Sequence, residues 1–179
     1  MATKKKRVFV GFPISETLQK QILLWEKENL KNIKARFIAG KNLHITLVPP
    51  WYERNIKNQI LKLKNIRTKI KPFKIIFTKV SFGPTGKSPR LIWAEGEIPK
   101  ELLKLKLLLE KTFKKKPEKR KFLLHLTIAR FKTKDFKNFE FKKLNKKVSW
   151  KSRVEAVTLF ESHLSSAGAD YQILSKVKI

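Results

Sequence analysis

Two short phrases in this chain carry the same pair of reactive side chains. "LHITLV" begins at Leu43 and "LHLTIA" begins at Leu124, 81 residues later, and each sets a histidine two residues before a threonine. His44 with Thr46 and His125 with Thr127 use two of only three histidines in the chain. On a β-strand, residues two apart share a face. Each phrase therefore presents an imidazole and a hydroxyl on one side and leucine or isoleucine on the other, ready to pack into a core. Threonine is stiff at χ1, which aims its hydroxyl. Two such strands across a cleft supply two groups that titrate near neutrality and two hydroxyl donors, a set that suits phosphodiester hydrolysis. One neutral imidazole would take a proton from attacking water, and the other, protonated, would give one to the departing oxygen. Thr46 and Thr127 would donate to the non-bridging oxygens. General acid-base catalysis of this kind is worth about 10²–10⁴-fold per group and needs no metal or other cofactor. A lone histidine on a strand is more often a structural residue, but the repeated threonine and apolar backing favour a paired site. A zinc site is disfavoured because neither strand holds a carboxylate or a third histidine at ligand spacing. His163, in "FESHL", lacks a threonine partner and reads as surface or structural.

A second phosphate-binding signal is a decoy. "SFGPTGKSP" (Ser81 to Pro89) ends in Gly-Lys-Ser, yet the glycine that a phosphate-wrapping P-loop needs five residues earlier is replaced by Ser81. Pro84 removes a backbone donor, and a strand-like segment follows where a helix should begin. A turn between strands accounts for the glycines and prolines.

The elements that must hold the two phrases follow from patterning. "RVFVGF" reads as a strand, and Ser15 as the N-cap of a helix running to about Leu30, with Leu18, Ile22 and Trp25 at helical spacing. "ARFI" is extended, and "LHITLV" is a strand ended by Pro49 and Pro50. A helix is expected from about Arg54 to Ile70. "FKIIFTKVSF" and "RLIWAEGE" are strands around a loop, and a helix follows from about Pro99 to Phe113. "FLLHLTIARF" is a strand, and Lys132 to Lys147 reads as a polar connection without periodicity. "RVEAVTLFESH" and "DYQILSKVKI" are strands joined by the hairpin "LSSAGA". In each half a strand leads into a helix and returns as a His-x-Thr strand. This order predicts one domain over residues 1–179, made of two interleaved lobes in an α+β fold. Mainly antiparallel sheets would flank a central cleft, with the helices outside.

Composition sets the surroundings. A hydrophobic fraction of 41% and 13 phenylalanines suffice for a core in 179 residues. Without cysteine there is no disulfide framework, thiol nucleophile or thiolate metal site. No apolar run approaches the roughly 18 residues that span a bilayer. "MATKKKRVFVGFPIS" imitates a signal peptide, but Gly11 and Pro13 interrupt its apolar run and no cleavage site follows. A cytoplasmic monomer is expected. The formal charge of +29 implies a polyanionic partner, nucleic acid foremost, although many of the lysines would serve equally as solvated surface. "KKKR" (Lys4 to Arg7) and "KKKPEKRK" (Lys114 to Lys121) are either RNA-phosphate contacts or solvated loops.

Two HxTx motifs about eighty residues apart resemble the 2H phosphoesterase superfamily, and more closely the RNA 2′,3′-cyclic phosphodiesterase family, also called the 2′-5′ RNA ligase family. "RVFVGFPI", "NLHITL", "PRLIWAEG", "HLTIAR" and "LFESHLSSAGADY" carry the likeness over most of the chain. The resemblance implies a bilobal fold and opening of a terminal 2′,3′-cyclic phosphate on single-stranded RNA ends, tRNA-derived ends included, to leave a 2′-phosphate. It implies His44 as the acid and His125 as the residue that activates water, a division the near-symmetrical motifs do not themselves assign. Joining or cleaving 2′-5′ bonds, acting on a small cyclic nucleotide, and binding RNA without catalysis are the competing activities. The resemblance also brings Arg130 to the phosphate. Regular alternation from His125 puts Arg130 on the opposite face, so this role requires a bulge, a strand end or a long reach; a surface or lobe-bridging charge is the other reading. Leu124 stands where the family commonly has proline, and "VPPWYER" replaces the usual stretch after the first motif. There Trp51 or Tyr52 is either a base-stacking platform or a cover for the edge of the core.

Overall fold

The computed structural model describes residues 4–66, 70–84, 88–118, 120–166 and 168–179. Twelve strands and helices follow in the order β1 (Lys6–Pro13), α1 (Glu16–Asn29), β2 (Arg36–Phe37), β3 (His44–Glu53), α2 (Ile56–Lys64), β4 (Phe73–Gly83), β5 (Leu91–Gly96), α3 (Lys100–Thr112), β6 (Leu124–Arg130), β7 (Asn145–Val154), β8 (Ala156–Ser165) and β9 (Gly168–Lys178). The strands form two antiparallel sheets, β3-β1-β8-β9 and β2-β6-β5-β4-β7. Each sheet thus takes strands from both ends of the chain. One histidine phrase lies on each sheet: His44 opens the edge strand β3, and His125 lies on β6, one strand in from the edge.

Local chemistry explains the elements. Ser15 caps α1 by accepting a hydrogen bond from the Leu18 backbone N–H at 3.3 Å, and Leu18 and Ile22 on that helix are buried. Burial of one such side chain contributes about 1.5–3 kcal/mol. One cluster of buried apolar residues joins both sheets to the helices, with Val8, Val10 and Ile45 from one and Phe77, Ile92 and Leu126 from the other. Gly11 and Gly96 permit a close approach of strands, since a Cβ at either would meet the backbone carbonyl of Ile45 or Ile76. Among the described residues no helix is long and apolar enough to cross a membrane.

Four expectations need correction. Pro49 and Pro50 do not end the first histidine strand: β3 runs through them to Glu53, on a sheet edge, where a proline's missing N–H is tolerated. The second helix is shorter than its apolar spacing suggested: it starts at Ile56, where Asn55 caps it, and ends at Lys64; residues 67–69 lie outside the described residues. The segment from Lys132 to Lys147 holds a 3₁₀ turn at Thr133–Asn138 and the start of β7. Its lysines hid the strand, because Lys146 and Lys147 are exposed on a strand that pairs only with β4. "RVEAVTLFESH" is two strands that part at Glu155 and join different sheets. The Gly-Lys-Ser decoy falls between antiparallel β4 and β5, with no helix after it, although Gly86 and Lys87 themselves lie outside the described residues.

The core also holds a carboxyl. Glu26 on α1 is 6% exposed, its Oε1 has no hydrogen-bond partner, and burial pushes its pKa up to about 8. Its neutral form is the one favoured by folding. The stability it preserves is present below the ordinary carboxylate pKa and lost as pH rises through about 8. Thermal melts should therefore show the midpoint falling between pH 4.5 and about 8, and Glu26→Gln should flatten that decline; an equal decline in the variant would contradict it.

Candidate active site

Each histidine is anchored by the same local device. His44 Nδ1 lies 2.6 Å from the Asn42 carbonyl, and His125 Nδ1 lies 3.1 Å from the Leu123 carbonyl, two residues back in both cases. A carbonyl only accepts, so Nδ1 carries the proton and donates it, leaving Nε2 of each ring free for chemistry. The strands that carry them, β3 and β6, approach one another between the sheets. The charges of Arg130 and His125 both reach His44; Arg130 lines the same cavity as His44, and His125 is not among the residues that line it.

The surroundings of the two rings differ. His44 sits in an aromatic cage, with Phe9 at 4.9 Å and Tyr171 edge-on at 4.7 Å between ring centroids, and Phe160 at 6.0 Å. Burial there, joined by the nearby charges of Arg130 and His125, pushes the His44 pKa down to about 4 against the opposing bond to Asn42. His125 lies against the Trp93 ring, 5.0 Å away. Trp93 Nε1 donates to Ser81 Oγ at 3.0 Å and to Glu95 Oε1 at 2.9 Å, and Glu95 stands directly opposite His125 across the β5–β6 ladder.

Thr46 and Arg130 line the His44 cavity, about 230 Å³ in volume, together with Arg7, Phe9, Pro50 and Tyr171. Arg130 gets there through a bulge. Trp93 pairs with Thr127, but Ile92 pairs with Ala129, leaving Ile128 as an extra residue in β6. Ile128 and Ala129 both turn into the core, and alternation restarts with Arg130 on the side of His125 and Thr127. Strand β3 does the same: Gly11 pairs with Thr46 and Val10 with Val48, with Leu47 as the extra residue. Burial and the charges of Arg36, Arg90 and Arg7 hold the Arg130 pKa below its usual value, with Tyr171 opposing, yet a guanidinium stays charged at neutral pH.

The other candidates separate. Trp51 packs against Phe113 beyond α3 at 5.5 Å and beneath the Lys115 ammonium at 4.5 Å, so it covers the edge of the core. Tyr52 is 65% exposed, opposite Arg7 on β1. In the first basic segment Lys6 pairs with Glu161 at 2.8 Å and Arg7 donates to Ser162 Oγ at 2.7 Å, so Arg7 joins the site. In the second, Lys115 is engaged by Trp51, and Lys119 lies outside the described residues. His163 is exposed, near Glu161. Sequence patterning marked Arg7 only as part of a basic run and passed over Phe9, Trp93, Glu95 and Tyr171. For all but Tyr171 a signal existed: Arg7 and Phe9 alternate with buried Val8 and Val10, as Trp93 and Glu95 do with Ile92 and Ala94. Tyr171 is brought in only by the β8–β9 pairing.

A family model described as the 2′-5′ RNA ligase superfamily matches residues 24–165, which include both His-x-Thr phrases. The chain belongs to the 2′-5′ RNA ligase superfamily. Its 2H phosphoesterase character, read from the paired motifs, is supported by curated relatives. One, from Aquifex aeolicus, is 28% identical over 97% of each chain; another, from Archaeoglobus fulgidus, is 29% identical over 72% of this chain and 74% of its own. Both are named RNA 2′,3′-cyclic phosphodiesterase. Among solved structures, E. coli LigT complexed with 3′-AMP superposes with a TM-score of 0.77 at 20% identity over 98% of this chain and 99% of its own. A Thermus thermophilus protein does so with 0.77 at 19% identity over 96% and 97%. These superfamily structures share the α+β fold of two antiparallel sheets described above.

The charges around His44 lead to a measurement. In a histidine NMR titration His44 should titrate near pH 4, and Arg130→Met should move it upward by removing one repulsive charge. Titration of His44 near 6.5 in both proteins would show that neither burial nor Arg130 governs the ring.

Proposed function

We propose that this protein hydrolyses RNA 2′,3′-cyclic phosphate ends to 2′-phosphates by a two-histidine mechanism. The observation that carries the reading is the matched pair of imidazoles, each with Nδ1 tied to a carbonyl two residues back and Nε2 left free, in a chain whose relatives bear that enzyme's name. The phosphate would lie between the rings, with its non-bridging oxygens taken by Thr46, Thr127 and Arg130. His125 Nε2 takes a proton from water as the water oxygen bonds to phosphorus. The bond from phosphorus to O3′ breaks, and His44 delivers a proton from Nε2 to O3′, leaving a 3′-hydroxyl and a 2′-phosphate. The two rings exchange protonation states over one turnover, and solvent restores them.

The acid role asks something particular of His44, which is neutral in the free protein at pH 7. A bound phosphodiester anion offsets the repulsion from Arg130 and draws a proton onto Nε2. Burial then serves the reaction, because a proton held reluctantly is readily passed to the leaving oxygen.

The test is an oligoribonucleotide ending in a cyclic phosphate, incubated with chelator present, and the product phosphate mapped. A 2′-phosphate is expected, and His44→Ala and His125→Ala should each lose about 10²–10⁴-fold in rate. Thr46→Val should lose about 10²-fold or more if its hydroxyl meets the transition-state charge. On an aryl phosphodiester with a nitrophenolate leaving group, which needs no proton, His44→Ala should recover most of its loss and His125→Ala none. Full activity in either histidine variant would exclude the mechanism.

A further inference from the structure

The His44 cavity shares lining residues with two others. Arg130 and Tyr171 also line a smaller cavity of about 120 Å³ that includes Arg36, Asn42 and Gly168. Arg130 and Arg36 in turn line an outer cavity of about 440 Å³ with Lys34, Phe131 and Lys132, where Asp135 is the one carboxylate. Arg130 lines all three, so they adjoin one another between His44 and Arg36 on β2.

Two like charges stand where these cavities adjoin. Arg36 and Arg130 are directly opposed in the β2–β6 pair, an arrangement that destabilises a sheet unless something neutralises it. Among the described residues no carboxylate lies within ion-pair distance of Arg36, Arg90 or Arg130. The guanidinium of Arg36 lies over Gly168, where a Cβ would stand 3.3 Å from its Cζ. That glycine has φ +130, a conformation unfavourable to other residues, so the bare backbone leaves Arg36 its place in the smaller cavity. A guanidinium suits bidentate recognition of a phosphate.

We propose that Arg36, with Arg130, binds the internucleotide phosphate on the 5′ side of the reacting nucleotide, so that the site takes an RNA chain end in preference to a single cyclic nucleotide. The inference rests on the hydrolase reading and names its substrate class. Arg130 stands between the two phosphates, and the outer cavity, with Phe131 and two lysines, receives the next nucleoside. Arg36 is exposed on a two-residue strand, so its replacement leaves the core intact.

The experiment compares kcat/KM for 2′,3′-cyclic AMP with that for the dinucleotide ApA ending in a 2′,3′-cyclic phosphate. The dinucleotide should be preferred about tenfold or more, and Arg36→Ala should remove most of that preference while Arg36→Lys keeps part of it. On the dinucleotide, the salt slope should flatten in Arg36→Ala by about 0.7, the loss of one single-strand phosphate contact. A preference unchanged by Arg36→Ala, or no preference in the unaltered protein, would overturn the proposal. Calorimetric binding of 2′-AMP and of ApA 2′-phosphate provides a separate arm. If neither cyclic substrate is turned over, the hydrolase reading has failed. Tighter binding of the dinucleotide that is lost in Arg36→Ala would then still support the subsite, and equal binding of the two would reject it.

Discussion

The site depends on one backbone irregularity made twice. A strand with one face in the core can offer only every second side chain to a cleft, which accounts for His44 with Thr46 and His125 with Thr127 but places Arg130 on the wrong side. The extra residue after each threonine breaks that rule. Leu47 with Val48, and Ile128 with Ala129, enter the core as consecutive side chains, all 0 or 1% exposed. A bulge forgoes regular ladder pairing, and burial of those residues, at about 25 cal/mol per Å² of apolar area, offsets the loss. In β6 the gain is a guanidinium on the same face as the imidazole.

That placement concentrates positive charge. Arg7, Arg36 and Arg90 act on Arg130, and Arg130 and His125 act on His44, in a chain with a formal charge of +29. Self-repulsion of this kind works against the compact state, and the structure bears it because the groups lie on strands pinned by a shared core. On the proposed function the same repulsion would make the cleft selective. A neutral ligand leaves it in place, whereas a phosphate relieves it at several groups at once, so affinity for the anion and the protonation of His44 are linked.

What the sequence disclosed follows from which features are local. The two His-x-Thr pairs, the Ser15 cap and the antiparallel hairpins are encoded within a few residues, and patterning finds them. The need for a bulge before Arg130 could serve the cleft was legible from parity, but its location was not, because Ile128 and Ala129 look like any apolar pair until Ile92 and Trp93 are set beside them. Tyr171 and Arg36 reach the site through pairings distant in sequence. The start of β7 was masked by composition, since lysine on an exposed face reads as loop. The basic segments divide: Lys6 is drawn into an ion pair with Glu161 and Lys115 onto the Trp51 ring, whereas Arg7 of the first segment lines the His44 cavity.

The two halves match in backbone and diverge in surroundings, and that divergence gives the site a direction. Repeating the Nδ1 anchor and the bulge yields two equivalent imidazoles, which alone would leave a phosphate no preferred way to face. The asymmetry comes from neighbouring strands. β1, β8 and β9 close Phe9, Phe160 and Tyr171 around His44, while β5 sets Trp93 and Glu95 beside His125. On the second sheet a further strand, β2, lies outside β6 and carries Arg36, whereas β3 is itself the edge of its sheet. A chain leaving the cleft therefore meets paired arginines on the β6 side. A substrate anchored there, as proposed, would present its ends to the two histidines in one order. In the proposed reaction the motif would supply the reacting groups, and the unequal sheet edges would decide which of them faces which oxygen.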